Sequence, residues 1–213
     1  MLNNVHSEKA IRGFYSEKFI QNFRSLFLPL SRALKKADVR PNTVTVISVA
    51  FGVITGVFLA YDYLWTGLIF GLAMAFADIV DGQLAKEFAG ASRFGAVIDS
   101  TADRYNEFFV FGGLAFRYYF LGRDLWIIAC AMAFFGSIMI SYVKARAETE
   151  GIECKVGLLQ RPERLTILGF GVLFRSPGID VAVLFLAVFS HATTVQRILH
   201  VCRQSRKHHN NLN

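Results

Sequence analysis

Thr43–Tyr61, TVTVISVAFGVITGVFLAY, runs for nineteen residues without a charge. At 1.5 Å per residue a helix of that length covers about 28 Å, close to the ~30 Å hydrocarbon core of a bilayer. Leu125–Val143 (LWIIACAMAFFGSIMISYV) repeats the pattern, and the shorter run Val181–Gln196 ends in basic residues. The chain around them is 54% hydrophobic, with a mean hydropathy of +0.39 and 21 phenylalanines in 213 residues. A soluble domain is nearer 45–50% apolar, roughly. These runs predict an all-α membrane protein rather than a soluble helical core.

Outward from these runs, three weaker segments complete a bundle of six transmembrane helices. Their expected ranges are 43–62, 65–87, 95–119, 124–147, 161–176 and 180–202. The second, third and fifth are interrupted by charge. Before them, residues 8–36 alternate aromatic or aliphatic with basic side chains at helical spacing, the pattern of an amphipathic helix lying in the membrane interface. The first 40 residues hold no apolar core or cleavage site of a signal peptide. No linker or repeat divides the chain, so 1–213 reads as a single membrane domain with its six-helix bundle at 43–202.

Charge tests the topology. An even number of spans puts both termini on one side, and all of the 23 Lys and Arg except Arg104, Arg117, Arg123 and Arg175 then fall on that face. The positive-inside rule makes it cytosolic, in a multi-pass protein of the cell membrane. Nothing in this basic balance calls for nucleic acid. Cys130, Cys154 and Cys202 have no paired or CxxC spacing and read as free thiols. His191, His208 and His209 lack ligand spacing.

The second and third helices hold what lipid excludes. In ADIVDGQLAKEFAGASRFGAVIDSTADRYNEF, residues 77–108, Asp78 and Asp81 stand at i,i+3 and Asp99 and Asp103 at i,i+4. Each pair projects from one helix face. Carboxylates inside membrane segments are costly and mark functional sites. A short connection makes the helices antiparallel neighbours, so the four acids converge near the cytosolic end and need a cation. All-oxygen ligands suit a hard divalent ion, Mg²⁺ or Mn²⁺. Gly82, Ala85 and Gly95 are small positions where a backbone or nucleotide approaches closely. A cation transporter would also line its path with such acids, but it does not explain the small residues at this spacing or the confinement to one face.

The array Asp78-x2-Asp81-Gly82-x2-Ala85-Lys86-x8-Gly95-x3-Asp99-x3-Asp103 resembles the signature D-x2-D-G-x2-A-R-x8-G-x3-D-x3-D of the CDP-alcohol phosphotransferase family. Seven of eight fixed positions match; Lys86 replaces the family's Arg, keeping charge but losing the planar fork. Pro41-Asn42-Thr43-Val44-Thr45 is similar to the family's P-N-x-x-T segment, although Asn42 and Pro41 also suit a helix start. The resemblance implies a phospholipid-synthesising transferase that joins a CDP-lipid, CDP-diacylglycerol or CDP-archaeol, to a polar alcohol and releases CMP. It further implies a site of two metal ions held by Asp78, Asp81, Asp99 and Asp103. Asp103 would serve also as general base, and Asn42, Thr45, Asp78, Gly82, Ala85 and Lys86 would face the nucleotide.

Lys144, Arg146, Arg161 and Arg164 lie where the fourth helix ends and the fifth begins, at the cytosolic mouth. Four cations there suit an acceptor that already carries phosphate. These segments and the tail TTVQRILHV resemble the branch that makes phosphatidylinositol phosphate or archaetidylinositol phosphate. Inositol phosphate is the expected acceptor, with glycerol 3-phosphate or another alcohol as the alternative. The family resemblance also implies a homodimer.

Overall fold

The computed structural model describes residues 17–88 and 92–210. They form eight helices: α1 (Glu17–Ser25), α2 (Leu28–Lys36), α3 (Pro41–Ala60), α4 (Leu64–Glu87), α5 (Arg93–Phe120), α6 (Asp124–Thr149), α7 (Arg161–Leu173) and α8 (Arg175–Asn210). No strand stands among the described residues. The last six helices answer to the six expected from the sequence. Four of them, α3, α4, α6 and α8, are long and apolar enough to cross a membrane. Helix α5 carries Asp99, Asp103, Arg104, Glu107 and Arg117 along its length. Helix α7 has 13 residues, about 20 Å, and is short for a span.

Helix α8 runs on to Asn210, past the expected end at 202, and two connections also differ from expectation. Over 17–36 the expected single N-terminal helix is two short ones, broken where Pro29 enters the first turn of α2. Proline lacks the N–H and its ring clashes with the preceding turn, so α1 cannot run through it. The rest of the expected segment, 8–16, lies outside the described residues. The turn between α7 and α8 is also tighter than expected. One residue, Phe174, separates the two helices, and Arg175 takes a left-handed φ of 59°.

Helices α3, α4 and α5 form one packed unit, because small residues let their backbones meet. A Cβ on Gly113 of α5 would lie 2.2 Å from the Gly56 carbonyl oxygen of α3. Only glycine permits that crossing. Nearby, the Asn106 amide donates to Ser48 Oγ at 2.9 Å, and Ser48 donates to the Met74 carbonyl at 3.2 Å. The three helices are thus tied by buried polar links as well as by van der Waals contact. Helix α6 packs along α8, with Gly136 against Ser190. Leu59, Leu114, Tyr118, Ile140, Leu159 and Leu186 fill the centre.

The two ends of the bundle are chemically unlike. At the end away from the acids, Arg117 Nε donates to Asp62 at 2.6 Å, while Tyr118 and Arg123 both donate to Asp180, at 2.6 and 2.9 Å. These pairs tie the α3–α4 and α5–α6 turns and the start of α8. The flanks carry exposed Leu125, Phe116, Phe135, Ile69 and Val181, a surface suited to lipid.

Candidate active site

Helices α4 and α5 run antiparallel, and their neighbouring ends carry the acids. Ser92 caps α5, its Oγ accepting from the Gly95 amide at 2.8 Å, as serine does at a helix start. That cap sets the phase in which Asp99 and Asp103 turn toward α4. One carboxylate oxygen from each of Asp78, Asp99 and Asp103 lies within 4.8 Å of the others. Asp81, one turn further along α4, is buried, and neither of its oxygens has a hydrogen-bond partner. Thr45 stands beside it, but the threonine hydroxyl is directed to the Pro41 carbonyl, 3.2 Å away. Unsatisfied carboxylate oxygens beside three converging acids fit a hard divalent cation.

The sequence-derived nucleotide positions border the same acids. The Asn42 side chain is 3.6 Å from where a Cβ on Gly95 would stand, which brings the start of α3 to the start of α5. Around Gly82 a Cβ would meet nothing within 4 Å, so open space adjoins Asp81. Lys86 is exposed and Ala85 half-buried, one turn beyond.

The four basic positions separate. Arg161, the first residue of α7, reaches the acids: its Nη1 donates to both oxygens of Asp78, at 2.8 and 2.9 Å, and forms an ion pair with Asp103. Arg164 is buried, and its Nη2 donates to Glu107 at 2.7 Å. Lys144 and Arg146 stand exposed on the last turns of α6, paired with Glu148 of that helix and with Glu150 at its C-cap. Exposed pairs of this kind bind weakly and are readily exchanged.

Two features were not read from the sequence. One is Glu107, buried four residues after Asp103 on the same face of α5; its i+4 spacing was the available signal. The other is an apolar cavity of about 660 Å³ between α4 and α7. Leu68, Leu72, Leu165 and Val172 line it, α1 contributes Phe19 and Phe23, and Asp78 and Arg161 reach its wall. The site therefore joins a carboxylate cluster to an apolar groove, so that a charged group and apolar chains could be held side by side.

Known proteins share both sequence and fold with this chain. Residues 38–198 match the CDP-alcohol phosphatidyltransferase family. A phosphatidylinositol phosphate synthase of Mycobacteroides abscessus is 38% identical over 194 residues, covering 87% of each chain. One from Streptomyces avermitilis is 36% identical over 214 residues, covering 92% of this chain and 85% of that one. Crystal structures of the Mycobacterium tuberculosis phosphatidylinositol phosphate synthase superpose closely. The form with CDP-DAG bound gives a TM-score of 0.76 at 34% identity, over 83% of this chain and 94% of that one. The complex with manganese and citrate gives 0.75 at 35% identity, over 81% and 87%. A match spanning most of the bundle, with the aspartates of the motif brought to one place, makes the chain an enzyme of the CDP-alcohol phosphatidyltransferase family.

Proposed function

We propose that the enzyme transfers the lipid phosphate of a CDP-lipid to the hydroxyl of inositol phosphate, releasing CMP. The observation that carries this reading is that Asp78 and Arg161 stand on the wall of an apolar groove, with Asp99 and Asp103 clustered beside Asp78. The groove suits the tails of the donor, and its polar wall leaves the donor's pyrophosphate beside the acids. Asn42, Thr45, Gly82, Ala85 and Lys86 border the space for the cytidine nucleotide. Relatives that are phosphatidylinositol phosphate synthases, one of them holding CDP-DAG, support the choice of donor and acceptor.

Asp78, Asp81, Asp99 and Asp103 would hold Mg²⁺ or Mn²⁺, in a site for two ions, which would supply positive charge against the transferring phosphoryl group. The manganese complex of a relative favours this assignment. The chain's own residues do the rest. The acceptor hydroxyl oxygen attacks the lipid-side phosphorus, the bond from that phosphorus to the CMP oxygen breaks, and the acceptor's proton passes to Asp103. Arg161 is the cation best placed to hold the acceptor phosphate, since it already stands at the acids. Lys144 and Arg146, exposed at the mouth, would draw the anion in. Arg164 is engaged with Glu107 and serves less directly.

The six helices α3–α8 act as one membrane domain, with the acidic end and both termini in the cytosol. The decisive experiment measures CMP release from CDP-diacylglycerol with a panel of acceptors. Inositol phosphate should be the preferred acceptor. A preference for glycerol 3-phosphate would move the assignment to another branch with the same chemistry.

A further inference from the structure

Below the acids, a second charged layer lies in the protein interior. Glu107 follows Asp103 by one turn of α5, and Arg164 follows Arg161 by one turn of α7. The two helices are thus joined by two rungs, Asp103–Arg161 above and Glu107–Arg164 below. The lower rung is sealed, with both side chains about 5% exposed. It has further partners: Ser137 of α6 donates to the second oxygen of Glu107 at 2.8 Å, and Arg164 Nη1 donates to the Leu159 carbonyl, 3.3 Å away, in the segment leading into α7, while Arg164 Nε is buried without a partner. Neither Glu107 nor Ser137 lines the apolar cavity.

A buried ion pair costs desolvation and is a poor way to gain stability alone. Its worth lies in fixing one geometry. Helix α7 is short, and the 151–160 connection before it is irregular, so its first residue needs an anchor. From these contacts we infer that Glu107, held by Ser137 and paired with Arg164, is a positioning residue that sets the start of α7 and so holds Arg161 against Asp78 and Asp103. The consequence for acceptor binding rests on the proposed role of Arg161. The consequence for the acid cluster does not.

The test uses full-length enzyme in lipid nanodiscs. Glu107→Gln paired with Arg164→Met removes both charges and avoids a lone buried ion; Ser137→Ala is a milder second variant. Each is compared with Arg161→Gln and combined with it. Two quantities are read: the KM for inositol phosphate against that for CDP-lipid, and the Kd for Mn²⁺ by electron paramagnetic resonance without substrates. Arg161→Gln should tighten Mn²⁺ by about fivefold, because a fixed cation leaves the carboxylates. The Glu107/Arg164 variant should do the same and raise the acceptor KM about tenfold, with the donor KM nearly unchanged and no further effect in the Arg161→Gln background. Ser137→Ala should shift both in the same directions by a smaller factor. Effects that persist undiminished without Arg161 would overturn the inference, as would a folded double variant with wild-type Mn²⁺ affinity and acceptor KM. If Arg161→Gln leaves the acceptor KM unchanged, the acceptor reading fails, and the Mn²⁺ measurements decide the positioning role on their own.

Discussion

At the scale of single residues the site divides its carboxylates by what each can reach. Asp78, Asp99 and Asp103 converge within a few ångströms, and Asp81 lies buried beside them without a partner. Removing an anionic ligand from a shared cation should be costly. Asp78→Asn, Asp81→Asn and Asp99→Asn are each expected to abolish turnover and to weaken Mn²⁺ binding, and stripping the wild type with EDTA should have the same effect until Mg²⁺ or Mn²⁺ is restored. Turnover persisting undiminished in the chelator would refute the metal assignment. Asp103→Asn should lower kcat by roughly 10²–10⁴-fold, the usual contribution of a general base, and leave CDP-lipid binding largely intact. Loss of CDP-lipid binding in that variant would make Asp103 chiefly a ligand. Arg161→Gln should raise the KM for inositol phosphate by about one to two orders of magnitude, since a charge-assisted phosphate contact contributes roughly 1.5–3 kcal/mol.

At the scale of helices, close backbone approach governs the geometry. Gly113 and Gly56 meet where α3 crosses α5, and the same pair of helices delivers Thr45 and Asp103 to the site. Gly113→Ala should force the helices apart and destabilise the protein by about 1–3 kcal/mol, the cost of overpacking. Thermal unfolding in detergent would register it, and an unchanged Tm would mean the crossing is looser than described. Much of this architecture was legible beforehand. The uncharged runs at 43–61 and 125–143 located α3 and α6, and the aspartate spacing pointed to the cluster of Asp78, Asp99 and Asp103, because helical periodicity acts locally along the chain. The break at Pro29 was also readable, yet the continuous aromatic–basic pattern over 8–36 masked it. Pairing across the bundle was not legible. Arg161 and Arg164 look alike in RPERL, but a rotation of three residues sends one to the acid cluster and the other into the interior against Glu107. Only the packing of α7 against α8 and α4 separates them. The apolar cavity was hidden for the same reason, being made by α4 and α7, which lie far apart in sequence.

At the scale of the whole molecule, the bundle has one end that carries the acid cluster with Arg161 and another closed by Arg117–Asp62 and Arg123–Asp180 pairs. The proposed orientation puts the first end in the cytosol. Cys202 is the exposed native cysteine near the end of α8, so an impermeant maleimide should fail to label it in intact cells and label it after lysis. With Cys202→Ser, an introduced Asp124→Cys at the opposite end should label without lysis; the reverse pattern would invert the topology. The central claim is the reaction itself. Purified enzyme in nanodiscs, given CDP-diacylglycerol, Mg²⁺ and inositol 1-phosphate, should release CMP and form a phosphorylated inositol lipid in equal amounts. Free inositol should serve poorly, and Asp103→Asn should serve hardly at all. CMP release that is indifferent to the acceptor's phosphate, or no CMP release with any alcohol, would contradict the account.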